Sequence, residues 1–130
     1  MTKRNTASAY LIALLFVMPW AGTNLLAEQP DVGQFIEFMH NNVKRKYLLH
    51  VPQQLPDNSP LVFVLHGYHG DARDYVDPVM NRLADDNGFA VCYPQGAEDR
   101  EGIPHWNARL KISKTDDIGF LSALASDLQK

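Results

Sequence analysis

A single cysteine, Cys92, stands in a chain of 130 residues, so no disulfide can form within it. Thiolate and imidazole ligands are not laid out at the spacing of a structural zinc site either, and the fold has to stand without a staple. Basic charge is equally scarce: 12 Lys and Arg against 15 Asp and Glu give a net charge of -3. That leaves no surplus of the kind a phosphate backbone demands, and nucleic acid is not an expected partner. No apolar run reaches the roughly 20 residues of a membrane-spanning helix. Internal repeats and low-complexity tracts are absent, and 45% hydrophobic with 21% charged residues describes one globular domain.

What is present begins with an export pattern. Lys3 and Arg4 precede an apolar run from Ala9 to Met18, then Pro19 and a small-residue region with Ala21, Gly22 and Ala27. The run is too short for a stable membrane anchor, no cysteine near it offers a lipid attachment point, and a signal peptide over residues 1–27 is expected. The remaining domain, residues 28–130, loses two basic residues and becomes more acidic still. A secreted or periplasmic location follows.

Beyond Glu28 short strand-like runs alternate with helical ones, the pattern of an α/β domain. Gln34 to Met39 and Lys46 to Val51 are strand candidates. Leu61 to Leu65 is an uninterrupted apolar run of the sort shown by a strand covered on both faces, read here as the central strand. Phe89 to Tyr93 is a second such run, stopped by Pro94. Between them Asp77 as N-cap, Pro78 at the first helical position and Gly88 as terminator define a helix. A strand, helix, strand unit of this kind places its strands parallel. Thr115 to Lys130 reads as an amphipathic helix capped by Thr115 or Asp116.

Candidate chemistry gathers at the ends of the buried strands. Leu65-His66-Gly67-Tyr68-His69-Gly70-Asp71 follows the first of them, where parallel sheets bind ligands. Gly67 and Gly70 permit a tight turn whose N–H groups point outward to a developing negative charge, the geometry of an oxyanion hole; a simple strand-ending bend is the alternative. His66, His69, Asp71, Asp74 and His105 carry metal-ligand chemistry, but histidines three apart across a glycine turn lack the spacing of a metallo-hydrolase loop, and no metal or other cofactor is expected. His40 and His50 read as surface or packing residues, and Cys92 as a buried small hydrophobe. Trp106-Asn107 either walls a substrate cleft or packs its loop onto the domain. Asp116-Asp117 offers a carboxylate pair, although a helix N-terminus attracts carboxylates anyway.

Taken together these residues resemble the exported esterase group of the α/β-hydrolases that includes poly(3-hydroxybutyrate) depolymerase-like enzymes and feruloyl or acetylxylan esterases. The resemblance runs from Lys46-Tyr47-Leu48-Leu49-His50-Val51-Pro52 through the His66-Gly67 loop, Leu83 to Phe89, Tyr93-Pro94-Gln95-Gly96 and Trp106-Asn107 to Asp116 through Leu121. It implies an α/β-hydrolase fold with a mostly parallel sheet flanked by helices, and hydrolysis of a polyester or a plant-wall polysaccharide ester through an acyl-serine. It also implies that the Tyr68 backbone N–H serves the oxyanion, with Gly67, His69, Trp106 and Asn107 about the substrate.

One part of the family pattern does not occur. The Gly-x-Ser-x-Gly turn that carries the nucleophile is absent, since Ser8, Ser59, Ser113, Ser122 and Ser126 are not flanked by glycines two residues away on both sides. The expectation is therefore a partial α/β-hydrolase domain, truncated before the nucleophile strand, that supplies the charge-stabilising half of a site and is inactive alone. The alternative is a non-catalytic exported α/β fragment that binds a partner chain.

Overall fold

Asn41 and Asn42 both adopt positive φ, 48° and 62°, the conformation that lets two residues close a hairpin. The computed structural model describes residues 33–107 and 113–130; the expected leader over 1–27 lies outside them. The asparagine turn joins β1 (Ile36–His40) to β2 (Val43–His50) in antiparallel register, with Ile36 opposite Tyr47 and His40 opposite Val43. Strand β3 (Leu61–Phe63) leads through a 3-10 turn at Ala72–Tyr75 and helix α1 (Pro78–Asn87) to β4 (Ala90–Pro94), and β3 and β4 pair in parallel. A small ribbon of β5 (Ala97–Glu98) and β6 (Pro104–His105) and helix α2 (Asp117–Leu128) complete the order.

The main sheet runs β1-β2-β4-β3. Only the β3–β4 pairing is parallel, because β2 also meets β4 antiparallel, with Leu48 opposite Tyr93. The expected mostly parallel sheet is thus corrected to a mixed one: strand, helix, strand reasoning foresaw one ladder, and the hairpin built the others. The central position is also reassigned. Every residue of β4 is buried, whereas β3 lies at the edge of the described sheet and its three residues are only half-buried.

Period-two alternation divides the core between the two faces of β4. Val91 and Tyr93 join Leu48, Ala72 and Ala84 beneath α1, while Cys92 meets Tyr47, Phe120 and Leu124 beneath α2. Burial of a side chain such as Phe120 or Leu124 contributes about 1.5–3 kcal/mol. Helix α1 starts as expected, with Asp77 accepting the Val79 N–H at 2.8 Å, and ends at Gly88, whose φ of 70° suits glycine. Helix α2 is capped by Asp116, which accepts the Gly119 N–H at 2.9 Å. Among the described residues no helix is long and apolar enough to cross a membrane.

Candidate functional site

Strand β3 delivers the chain to His66, and the next four residues close a turn in which the Gly70 N–H donates to the Gly67 carbonyl at 3.1 Å. His69 takes the positive φ this turn requires, 67°, at its third position, as in a type II turn. The left-handed residue of the turn is therefore His69 and neither of the two glycines. They supply space: a Cβ on Gly70 would meet His66 Cβ at 3.0 Å and the Gly67 oxygen at 3.1 Å.

The N–H groups of this turn are almost all engaged. Gly67 N–H donates to the Tyr75 hydroxyl at 3.0 Å, His69 N–H to the Pro104 carbonyl at 2.9 Å, and Gly70 N–H closes the turn. The Tyr68 N–H has no acceptor among the described residues, and the Tyr68 side chain is 61% exposed. On a turn whose other donors are fixed, one backbone donor beyond the end of β3 is thus without a partner among the described residues.

Behind the turn lies a buried polar layer. His66 is 3% exposed; its Nε2 receives the Gly96 N–H at 2.8 Å and its Nδ1 lies 2.7 Å from the Gly67 oxygen. The Gln95 carboxamide touches His66, Gly70 and Ala72. Gly96 has no room for a side chain, since a Cβ there would sit 2.3 Å from the His105 oxygen and 3.0 Å from His66 Cε1.

Trp106 and Asn107 turn their polar groups inward. The Trp106 indole N–H donates to the His66 carbonyl at 2.9 Å, and the indole leans on the His66 ring with centroids 5.2 Å apart. The Asn107 amide side chain donates to the Thr115 carbonyl at 2.9 Å and its backbone N–H to Asp117 at 2.6 Å. Asp117 in turn forms a buried 2.8 Å ion pair with Arg45, whose guanidinium lies 4.0 Å above the Phe120 ring and reaches the Gln95 carbonyl at 3.4 Å. The two adjacent aspartates therefore divide their work: Asp116 caps α2, and Asp117 is an internal anchor that the capping interpretation missed. The Gly119 N–H, followed by His40 at 3.2 Å, holds the Asp116 carboxyl below the usual carboxylate range.

The remaining candidates have local duties. Asp71 caps the 3-10 turn by accepting the Arg73 N–H; His50 pairs with Asp85 at 2.9 Å. Burial pushes the Cys92 thiol up to about 12, the property of an inert core residue. His105 is fully buried, and its Nε2 lies 2.6 Å from Ser113 Oγ. That spacing suits a nucleophile and base, yet the second ring nitrogen faces the Ile103 carbonyl at 3.4 Å and the serine also receives the Thr115 N–H. The pair ties β6 to the segment that precedes α2. Among the described residues no three His, Cys, Asp or Glu side chains converge as metal ligands.

His66, Gln95, Tyr75 and Arg45 are the residues that sequence reasoning left without a role. A signal existed for two of them: His66 and Gln95 are polar residues set directly after buried apolar runs, where an unpaired side chain is costly.

A mixed α/β domain with a tight turn beyond a parallel strand thus meets sequence similarity to esterases. No protein-family model matches the chain. It is 35% identical over 99 residues to feruloyl esterase B of Thermothelomyces thermophilus, covering 75% of this chain and 31% of that enzyme. Over 83 residues it is 31% identical to the bifunctional acetylxylan esterase/xylanase XynS20E of Neocallimastix patriciarum, covering 63% of this chain and 11% of that protein. The chain spans about a third of the first relative's length and about a tenth of the second's. At family level the relationship is to esterases.

Proposed function

We propose that these residues form the charge-stabilising side of a carboxylic-ester hydrolase site of α/β-hydrolase type. When a nucleophile attacks an ester carbonyl, negative charge gathers on the carbonyl oxygen, and a fixed N–H aimed at that oxygen stabilises the transition state more than the ground state. The Tyr68 N–H is that donor. The observation carrying the reading is the selective freedom of this one group in a turn whose neighbouring donors are bonded. Gly67 and His69 shape the turn, and the family resemblance supports Trp106 and Asn107 as residues about the substrate. The attacking serine and its histidine lie outside these residues, which contain no Gly-x-Ser-x-Gly turn.

The names of the two relatives support a feruloylated or acetylated plant-wall polysaccharide as substrate; the poly(3-hydroxybutyrate) depolymerase resemblance supports a polyester. The basic and apolar start of the chain supports export. The test is hydrolysis by the full-length protein of methyl ferulate, acetylated xylan and poly(3-hydroxybutyrate), with fluorophosphonate labelling alongside. Turnover of one of these is expected, as is the absence of labelling for residues 28–130 alone. A full-length protein that turns over none of them, and whose open β3 edge captures a second chain, would replace this reading with partner binding.

A further inference from the structure

Gln95 lies at the end of the most buried strand, is itself 5% exposed, and belongs to neither the substrate surface nor the core. Its side-chain oxygen accepts the Ala72 N–H at 2.8 Å. A backbone N–H can meet only an acceptor, so this contact fixes which end of the carboxamide is oxygen. The nitrogen must then face the Gly70 carbonyl at 3.2 Å and His66 Nε2 at 3.1 Å. The Gly96 N–H points at the same ring nitrogen from 2.8 Å.

Two donors therefore converge on His66 Nε2, which has to present its lone pair. The proton of the neutral ring is left on Nδ1, where it is donated to the Gly67 carbonyl at 2.7 Å. That carbonyl and the Tyr68 N–H belong to one peptide unit, and no peptide bond among the described residues is cis. In a planar trans peptide the two groups point in opposite directions. Holding the Gly67 oxygen inward, between His66 and Gly70, turns the Tyr68 N–H outward.

We infer that His66 is a positioning residue: the Gly96 N–H, with the Gln95 carboxamide beside it, sets its tautomer, and His66 in that tautomer locks the Gly67–Tyr68 peptide with its N–H turned outward. The geometric part stands on the hydrogen bonds alone; its use in catalysis rests on the ester-hydrolase reading. The arrangement runs against the preference of free neutral histidine, which carries its proton on Nε2. A merely packed histidine would have no reason to invert it.

The experiment is long-range proton–nitrogen correlation NMR on the full-length, nitrogen-15-labelled protein at pH 8. Expected for the wild type is a His66 ring with the proton on Nδ1 and an acceptor-type Nε2. Two substitutions at the histidine separate lock from filler. His66→Asn keeps a donor near the Nδ1 position and should leave the Tyr68 amide resonance in place. His66→Gln keeps reach toward Gly96 but loses that donor, and should shift the resonance.

If the full-length protein hydrolyses esters, His66→Gln should also lower kcat by about tenfold, with KM unchanged and His66→Asn close to wild type. A wild-type ring with its proton on Nε2 would overturn the inference, as would equal Tyr68 shifts in the Asn and Gln variants; should His66→Gln fail to fold, the wild-type tautomer decides alone. The predicted tautomer in a protein without ester turnover would keep the lock and remove the ester-hydrolase reading.

Discussion

The chain leaves β3 and β4 at neighbouring points, since the two strands are parallel, and the two segments that follow are used in opposite ways. After β3, residues 67–70 are a surface turn that fixes three of its N–H groups and presents the fourth. After β4, Gln95, Gly96, Trp106 and Asn107 direct their polar groups back toward that turn, toward Arg45 and Asp117, or toward the start of α2. Two strand ends side by side thus spend their polar groups in opposite ways. One segment offers the donor, and the other keeps it still.

The anchor of the second segment gives the largest expected effect. Asp117→Ala leaves the Arg45 cation buried without its partner, which costs about 3–5 kcal/mol, and denaturant unfolding of the full-length protein should show it. Because Arg45 also touches the Gln95 carbonyl, both segments should loosen together in hydrogen exchange. Loss confined to α2 would separate them.

Glycines sharpen the contrast next. Gly96→Ala drives a Cβ into the His105 backbone, and overpacking of this kind costs about 1–3 kcal/mol. Gly67→Ala would meet only the Tyr75 hydroxyl, at 3.2 Å, the far end of a side chain that can yield. Thermal unfolding should rank the second variant clearly above the first; the reverse order would mean that the β3 turn, not the β4 segment, is the rigid part.

Smaller still is the link between the segments. Trp106→Phe keeps the ring but removes the N–H that the His66 carbonyl accepts, a loss of about 1 kcal/mol measurable by the same unfolding curves. An unchanged stability would show the two segments to be independent.

Titration tests the scaffold beneath both. Burial raises the folded-state value of the Cys92 thiol from 9.0 to about 12, so the neutral thiol is favoured by folding. Its contribution is complete below pH 9 and is lost as pH climbs toward 12. Tyr47 and Tyr93, also raised chiefly by burial, act in the same direction. Cys92→Ala should therefore shallow the alkaline loss of stability. The Asp116 carboxyl, held low by the Gly119 N–H, has the opposite sign: its contribution is present above the ordinary carboxylate range and is lost as pH falls through the lowered value.

The sequence makes α1 readable because its start and stop signals are local: Asp77, Pro78 and Gly88 act on their own neighbours. The apolar run of β4 is equally plain. Strand β1 is legible over Gln34 to Met39 as well, but its pairing with β2 is not, because Asn41-Asn42 shows its meaning only when both residues take positive φ, and the antiparallel β2–β4 ladder is a long-range pairing that periodicity does not encode. At the site, the family resemblance runs through His66 and Gln95 but gives a part only to Tyr68 and its neighbours and to Trp106-Asn107, since what His66 and Gln95 do depends on which donors converge from Gly96 and Ala72. Asp117 was obscured by Asp116 beside it, two identical residues with different partners.

Under the proposed ester-hydrolase reading the Tyr68 main chain, not its side chain, serves the reaction. Tyr68 occupies the second position of its turn, where proline is well accommodated, so Tyr68→Pro removes the N–H with little change in the turn, and Tyr68→Ala removes only the exposed side chain. Ester hydrolysis by the full-length protein carrying each substitution separates the two. Expected is a kcat near wild type for Tyr68→Ala and one lower by about 10²–10³-fold for Tyr68→Pro; equal rates for the two variants would remove the main-chain N–H from the reaction.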